Sequence, residues 1–122
     1  MFELQVRLTF DAAHHLREYK GKCENLHGHN WKVDIFVESD TLNKEGMAID
    51  FHDIKKIASN ILEELDHKYL NEHEYFKTVN PTSENIAKYI YDCLDKEFLN
   101  VEVKLKKVSV WETDTSCASY IK

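Results

Sequence analysis

The segment Cys23-Glu24-Asn25-Leu26-His27-Gly28-His29 places two histidines at i, i+2 and a cysteine four residues ahead of the first. In extended backbone, alternate side chains share a face, so His27 and His29 point the same way. Upstream, Ala12-Ala13-His14-His15 ends what reads as a strand, and a third imidazole on a paired strand completes a metal face. Three protein ligands and one open position is the catalytic form of a zinc site, whereas structural zinc is closed by four. Two bland readings compete: His-Gly-His as a turn with solvated rings, and Cys23 as a buried structural thiol.

The elements that must position these residues follow from periodicity. Phe2, Leu4, Val6, Leu8 and Phe10 alternate with polar residues, as do Val33, Ile35 and Val37 after the histidine pair. This predicts an antiparallel hairpin whose second strand runs from about His29 to Ser39. Asp50 is placed to cap a helix, with Asp53 in its first turn. Ile54, Ile57, Ala58, Ile61, Leu62 and Leu65 form its apolar stripe, and the helix is expected to end near Asp66-His67. Pro81-Thr82-Ser83-Glu84 opens a second helix, with Ile86, Ile90, Leu94 and Phe98 facing the core. Val101, Val103 and Leu105 precede Lys106-Lys107, Val108 and Val110 follow, and the change of phase predicts a turn or bulge. Tyr120 and Ile121 close a last strand. The expectation is an α+β fold: a four-stranded antiparallel sheet with two helices on one face. Its open edges predict continuation of the sheet into neighbouring subunits.

The chain has 122 residues, 31% charged and 43% hydrophobic, with one proline and three glycines. It reads as a single domain, 1–122, without linker or low-complexity tract. A formal net charge of -6 argues against nucleic-acid or anionic-membrane partners, while leaving room for a local basic pocket. Three irregularly spaced cysteines, Cys23, Cys93 and Cys117, with no signal peptide or long apolar run, predict a reduced cytoplasmic protein.

Six ordered motifs carry a resemblance that spans nearly the whole chain: Phe10-Asp11-Ala12-Ala13-His14, Cys23-x-x-x-His27-Gly28-His29, Met47-Ala48-Ile49-Asp50-Phe51, Leu65-Asp66-His67, Pro81-Thr82-Ser83-Glu84-Asn85 and Trp111-Glu112-Thr113. In this order they resemble the 6-pyruvoyl-tetrahydropterin synthase superfamily, and the cysteine spacing is similar to its bacterial 6-carboxy-5,6,7,8-tetrahydropterin synthase branch. The resemblance implies a tunnelling (T-) fold whose sheets join in trimers and hexamers, with active sites at subunit interfaces. The implied reaction is a lyase step of queuosine biosynthesis, turning 7,8-dihydroneopterin triphosphate into 6-carboxytetrahydropterin with loss of acetaldehyde and triphosphate.

It also implies roles. His14, His27 and His29 hold Zn2+; Cys23 is the base or proton carrier; Asp66 and His67 assist proton transfer across a subunit boundary. Glu112 anchors the pterin ring, and Thr82 and Ser83 add hydroxyl contacts. The bland counterparts are a helix-end histidine beside a solvated Asp66, an exposed Glu112, and Thr82 and Ser83 as helix caps. Other superfamily members use a glutamate three positions before His-Gly-His to leave 6-hydroxymethyl-dihydropterin. Glu24 occupies that position, either as a base or as a solvated loop residue. The 6-pyruvoyl activity and a structural zinc module closed by Cys23 are further alternatives.

Overall fold

The computed structural model describes residues 1–20 and 24–122, so Cys23 lies outside the described residues. Strand β1 (Phe2–His14) pairs antiparallel with β2 (His27–Ser39) along their full length, from Phe2 opposite Ser39 to His14 opposite His27. Helix α1 (Phe51–Leu62) follows, then the two-residue strand β3 (Lys68–Tyr69), two 3-10 turns (Leu70–Glu72 and Glu74–Lys77), helix α2 (Ser83–Glu97), β4 (Lys104–Thr113) and β5 (Ser116–Ile121).

The sheet has five strands in the order β3-β1-β2-β4-β5, one more than the periodicity predicted. The addition is β3, which pairs parallel to Ala12 and Ala13 and makes the sheet mixed. Two residues of parallel pairing carry no alternation, so no sequence pattern announces them. Helix α1 also stops earlier than expected, at Leu62. Asp66 and His67 lie in the turns beyond it, where His67 adopts a left-handed φ of 57°. The bulge expected near Lys106-Lys107 is present: Phe36 faces Lys107 and Val37 faces Leu105, which leaves Lys106 unpaired. Val101 and Val103 precede β4 rather than joining it.

Both helices cover one face of the sheet. Phe10, Trp31, Val33 and Ile35 meet Ile54, Ala58 and Leu62 of α1 and Ile86, Ile90 and Leu94 of α2, all buried. The caps form as the sequence predicts: the Asp50 side chain accepts from the His52 amide at 2.8 Å, and Thr82 Oγ1 accepts from the Asn85 amide at 3.1 Å. Trp31, fully buried, donates from Nε1 to the Ala12 carbonyl at 3.2 Å.

On the opposite face one carboxylate is buried. Arg7 donates from Nε and Nη2 to Asp34 Oδ1 and Oδ2 at 2.7 and 2.9 Å, and Trp111 Nε1 donates to Oδ2 at 2.8 Å. The Arg7 bond, aided by Trp111, holds the Asp34 carboxyl below its ordinary range despite burial. Asp34→Asn is expected to cost about 1–3 kcal/mol, because charged hydrogen bonds are replaced by neutral ones while Arg7 stays half exposed. A depressed carboxyl contributes stability above its unfolded value and loses it as pH falls through the folded value. The Tm gap between wild type and variant should therefore shrink below about pH 4, as read by thermal melts across pH.

Candidate functional site

His14 is the last residue of β1 and His27 the first of β2, paired in register; His29 lies two residues further along β2. Strand alternation sends all three rings to the helix side of the sheet, beyond the core. Trp31 is their floor, edge-on to His14 and His29 with centroids 4.9 and 5.2 Å away. Glu112, near the end of β4, brings its carboxylate to the same point, and one ligating atom from each of the four residues lies within 4.8 Å of the others.

The nitrogen bonding favours a cation there. His14 Nδ1 donates to the Pro81 carbonyl at 2.8 Å, and His27 Nδ1 donates to the Asn25 carbonyl at 2.9 Å. In neutral rings both Nε2 atoms then carry lone pairs, and these face each other at 3.0 Å. Burial pushes the His14 pKa down, against the pull of the Pro81 carbonyl, so protonating that ring is a poor remedy. His29 Nε2 is buried without a hydrogen bond. Glu112 Oε1 approaches it to 3.0 Å, and His14 Nε2 to 3.5 Å, but the approach to His29 lacks hydrogen-bond alignment and counts as charge proximity alone. Lone pairs converging on one point, two of them fixed by carbonyl bonds on the far side of the ring, are the arrangement of metal-binding imidazoles. This donor set fits a transition ion such as zinc.

Ser83, the first residue of α2, and Glu112 line one recess of about 200 Å³ together with Glu84, Ser116, Cys117 and Ala118. Thr82 does not line it; its hydroxyl is engaged as the α2 cap. Of the two hydroxyls singled out in the sequence, only Ser83 thus reaches the recess.

Asp66 and His67 form a separate group with Asp11. The His67 amide donates to the Asp11 carbonyl at 2.6 Å, and the Asp11 amide donates to Asp66 Oδ1 at 2.9 Å. Asp66 Oδ2 lies 3.0 Å from His67 Nδ1, with the His67 side chain 78% exposed. The Asp11 amide, followed by His67, holds the Asp66 carboxyl below its ordinary range. His67 lies outside α1, and Asp66, partly exposed, also accepts the Asp11 amide. Within one chain the pair does not join the histidine cluster.

Glu24 is not a freely solvated loop residue either. It is half-buried, and its Oε1 accepts the Leu16 amide at 3.2 Å. Sequence reasoning missed Pro81, Asn25 and Trp31, which orient the rings. Two of them act through backbone carbonyls, which leave no trace in residue type.

Residues 3–122 match the family described as 6-pyruvoyl tetrahydropterin synthase. The chain is 38% identical to the 6-carboxy-5,6,7,8-tetrahydropterin synthase of Aquifex aeolicus over 81% of this chain and 75% of that protein. It is 40% identical to the dihydroneopterin monophosphate aldolase of Pyrococcus furiosus over 87% and 85% of the two chains. The structure of Caenorhabditis elegans 6-pyruvoyl tetrahydropterin synthase superimposes with a TM-score of 0.87 at 32% identity, covering 99% of this chain and 95% of that one. These three names denote three different reactions.

Proposed function

The chain belongs to the 6-pyruvoyl tetrahydropterin synthase family, and we propose that it converts 7,8-dihydroneopterin triphosphate to 6-carboxy-5,6,7,8-tetrahydropterin, releasing acetaldehyde and triphosphate, as a zinc-dependent lyase of queuosine biosynthesis. The observation that carries this reading is the convergence of His14, His27 and His29 Nε2 on one point next to the recess of Ser83 and Glu112. The Cys23 spacing and the several relatives named for this synthase support the choice of product.

His14, His27 and His29 hold the metal, each ring's lone pair turned inward. When bound, zinc supplies Lewis acidity toward the oxygens of the substrate side chain. Glu112, which lines the recess, accepts parallel N–H bonds from the 2-amino group and a ring nitrogen of the pterin, and Ser83 adds a hydroxyl contact. Cys23 moves a side-chain proton. The Asp66 carboxylate lies beside His67 Nδ1, and the imidazole accepts or returns a proton from its exposed side.

Since His67 faces solvent within its own chain, it acts on the site of a neighbouring subunit. Sheet edges support that assembly: β3 covers β1 only at Ala12 and Ala13, leaving the stretch before them open, and β5 is the opposite edge of the sheet. Long open edges invite pairing with another chain.

A second reading draws on the Pyrococcus furiosus relative: cleavage to 6-hydroxymethyl-dihydropterin with Glu24 as base. Mass spectrometry of products after incubating zinc-loaded protein with 7,8-dihydroneopterin triphosphate separates the two. Carboxytetrahydropterin with acetaldehyde is expected. Hydroxymethyl-dihydropterin, or a 6-pyruvoyl product, overturns the assignment.

A further inference from the structure

The chain leaving the metal ligand His14 is fastened in an unusual way. His15 donates its amide to Asn71 Oδ1 at 3.0 Å, and Asn71 Nδ2 donates back to the His15 carbonyl at 2.9 Å. Asn80 binds Arg17 by the same pair of bonds, at 2.9 and 3.0 Å. Between them, the Leu16 amide donates to Glu24 Oε1 at 3.2 Å, and the Glu24 amide donates to the Leu16 carbonyl at 2.8 Å. Three consecutive residues beyond β1 therefore have every backbone N–H and C=O bonded, outside any strand ladder.

This makes Leu16 a fixed point, since its neighbours on both sides are clamped by side-chain amides, Asn71 being buried. Glu24 is tied to that point twice, once through its backbone and once through its carboxylate. The next residue, Asn25, offers the carbonyl that accepts from His27 Nδ1 at 2.9 Å. A continuous path thus runs from Leu16 through Glu24 to the carbonyl that orients a metal ligand. The Glu24 carboxylate oxygen that approaches His27, Oε1 at 3.8 Å from Nδ1, is the one already accepting the Leu16 amide.

We infer that Glu24 is a positioning residue for the metal ligand His27, its carboxylate engaged as a backbone staple rather than serving as the proton-abstracting base. This rests on the metal assignment above and deepens it, because proton abstraction is then left to Cys23. Outer partners that orient an imidazole typically govern metal affinity by about 10–100-fold, whereas a lost general base costs about 100-fold or more in rate with the metal undisturbed.

The test compares Glu24→Gln and Glu24→Ala, measuring zinc affinity by competition with a chromophoric chelator and turnover of the zinc-loaded enzyme. Glutamine retains an oxygen able to accept the Leu16 amide. It is expected to stay within about threefold of wild type in both readouts, the rescue that separates a staple from a base. Alanine is expected to lose about 10–100-fold in zinc affinity, with turnover recovering in excess zinc. A glutamine variant with normal zinc affinity and turnover reduced about 100-fold overturns the inference, as does an alanine variant unchanged in both. The affinity readout does not depend on which pterin is made. A hydroxymethyl product from wild-type protein, with the staple pattern intact, therefore defeats the product assignment alone.

Discussion

His29→Ala is expected to abolish zinc-dependent stabilisation and turnover while leaving the metal-free protein nearly as stable as wild type. Among the chain's own groups the buried His29 Nε2 has no hydrogen-bond partner, and leaving such an atom unsatisfied costs about 1–3 kcal/mol. Deleting the ring removes that cost along with its edge contact to Trp31, and the two changes offset each other to within about 1 kcal/mol. With zinc the balance reverses. A ligand present at a thousandfold excess over its Kd stabilises the fold by about 4 kcal/mol, about 10 °C or more in Tm for a chain of this size. The variant should forfeit most of that increment. Loss of the Lewis acid, worth several kcal/mol, should lower turnover by at least about a thousandfold.

His14→Ala is the contrasting control. His14 is 2% exposed and bonded to Pro81, so its removal should destabilise the metal-free protein by about 2–4 kcal/mol through cavity formation and a stranded carbonyl. Calorimetric melts with and without zinc read both effects. An undiminished zinc increment in His29→Ala would show that the ion binds elsewhere.

The different surroundings of His14 and His29 show what the sequence makes legible. Alternation of side chains is enough to put His14, His27 and His29 on one face, and the same alternation with helical stripes outlines four strands and both helices. Each of these rests on residue type repeating at a fixed period. The features left unseen rest on backbone atoms or on single contacts. The β3 pairing needs only two residues, and the turn before it relies on a left-handed His67, a conformation that histidine adopts less readily than glycine. The carbonyls of Pro81 and Asn25 orient His14 and His27 without any constraint on their own side chains. Asn71 and Asn80 read as ordinary polar loop residues until the chain ends they clamp are in place. Thr82 illustrates the reverse case: its position at a helix start fits both capping and substrate contact, and the bond to the Asn85 amide assigns its hydroxyl to the cap.

The exposed His67 leads to the second large expectation. The Asp11 amide holds Asp66, whose carboxylate lies beside the His67 ring, and most of the His67 side chain faces solvent. On the reading proposed above, this imidazole serves the site of a neighbouring chain. Cys23→Ala and His67→Ala should each be nearly inactive alone, with zinc binding retained in both. Co-assembled in equal amounts, they should recover activity. If subunits mix at random, a site drawing Cys23 from one chain and His67 from the next is intact in about a quarter of cases, by the statistics of a head-to-tail ring. Recovery of about a quarter of wild-type turnover, absent when the same chains are mixed only after assembly, places catalysis at the subunit boundary. Each hybrid active site must then contain one native residue from either chain, which no single-chain arrangement of these two variants can provide. Activity that stays at the level of the parent variants would instead put Cys23 and His67 in the same chain's site. Full activity in His67→Ala alone would reduce the Asp66-His67 pair to a turn that ties β3 to β1.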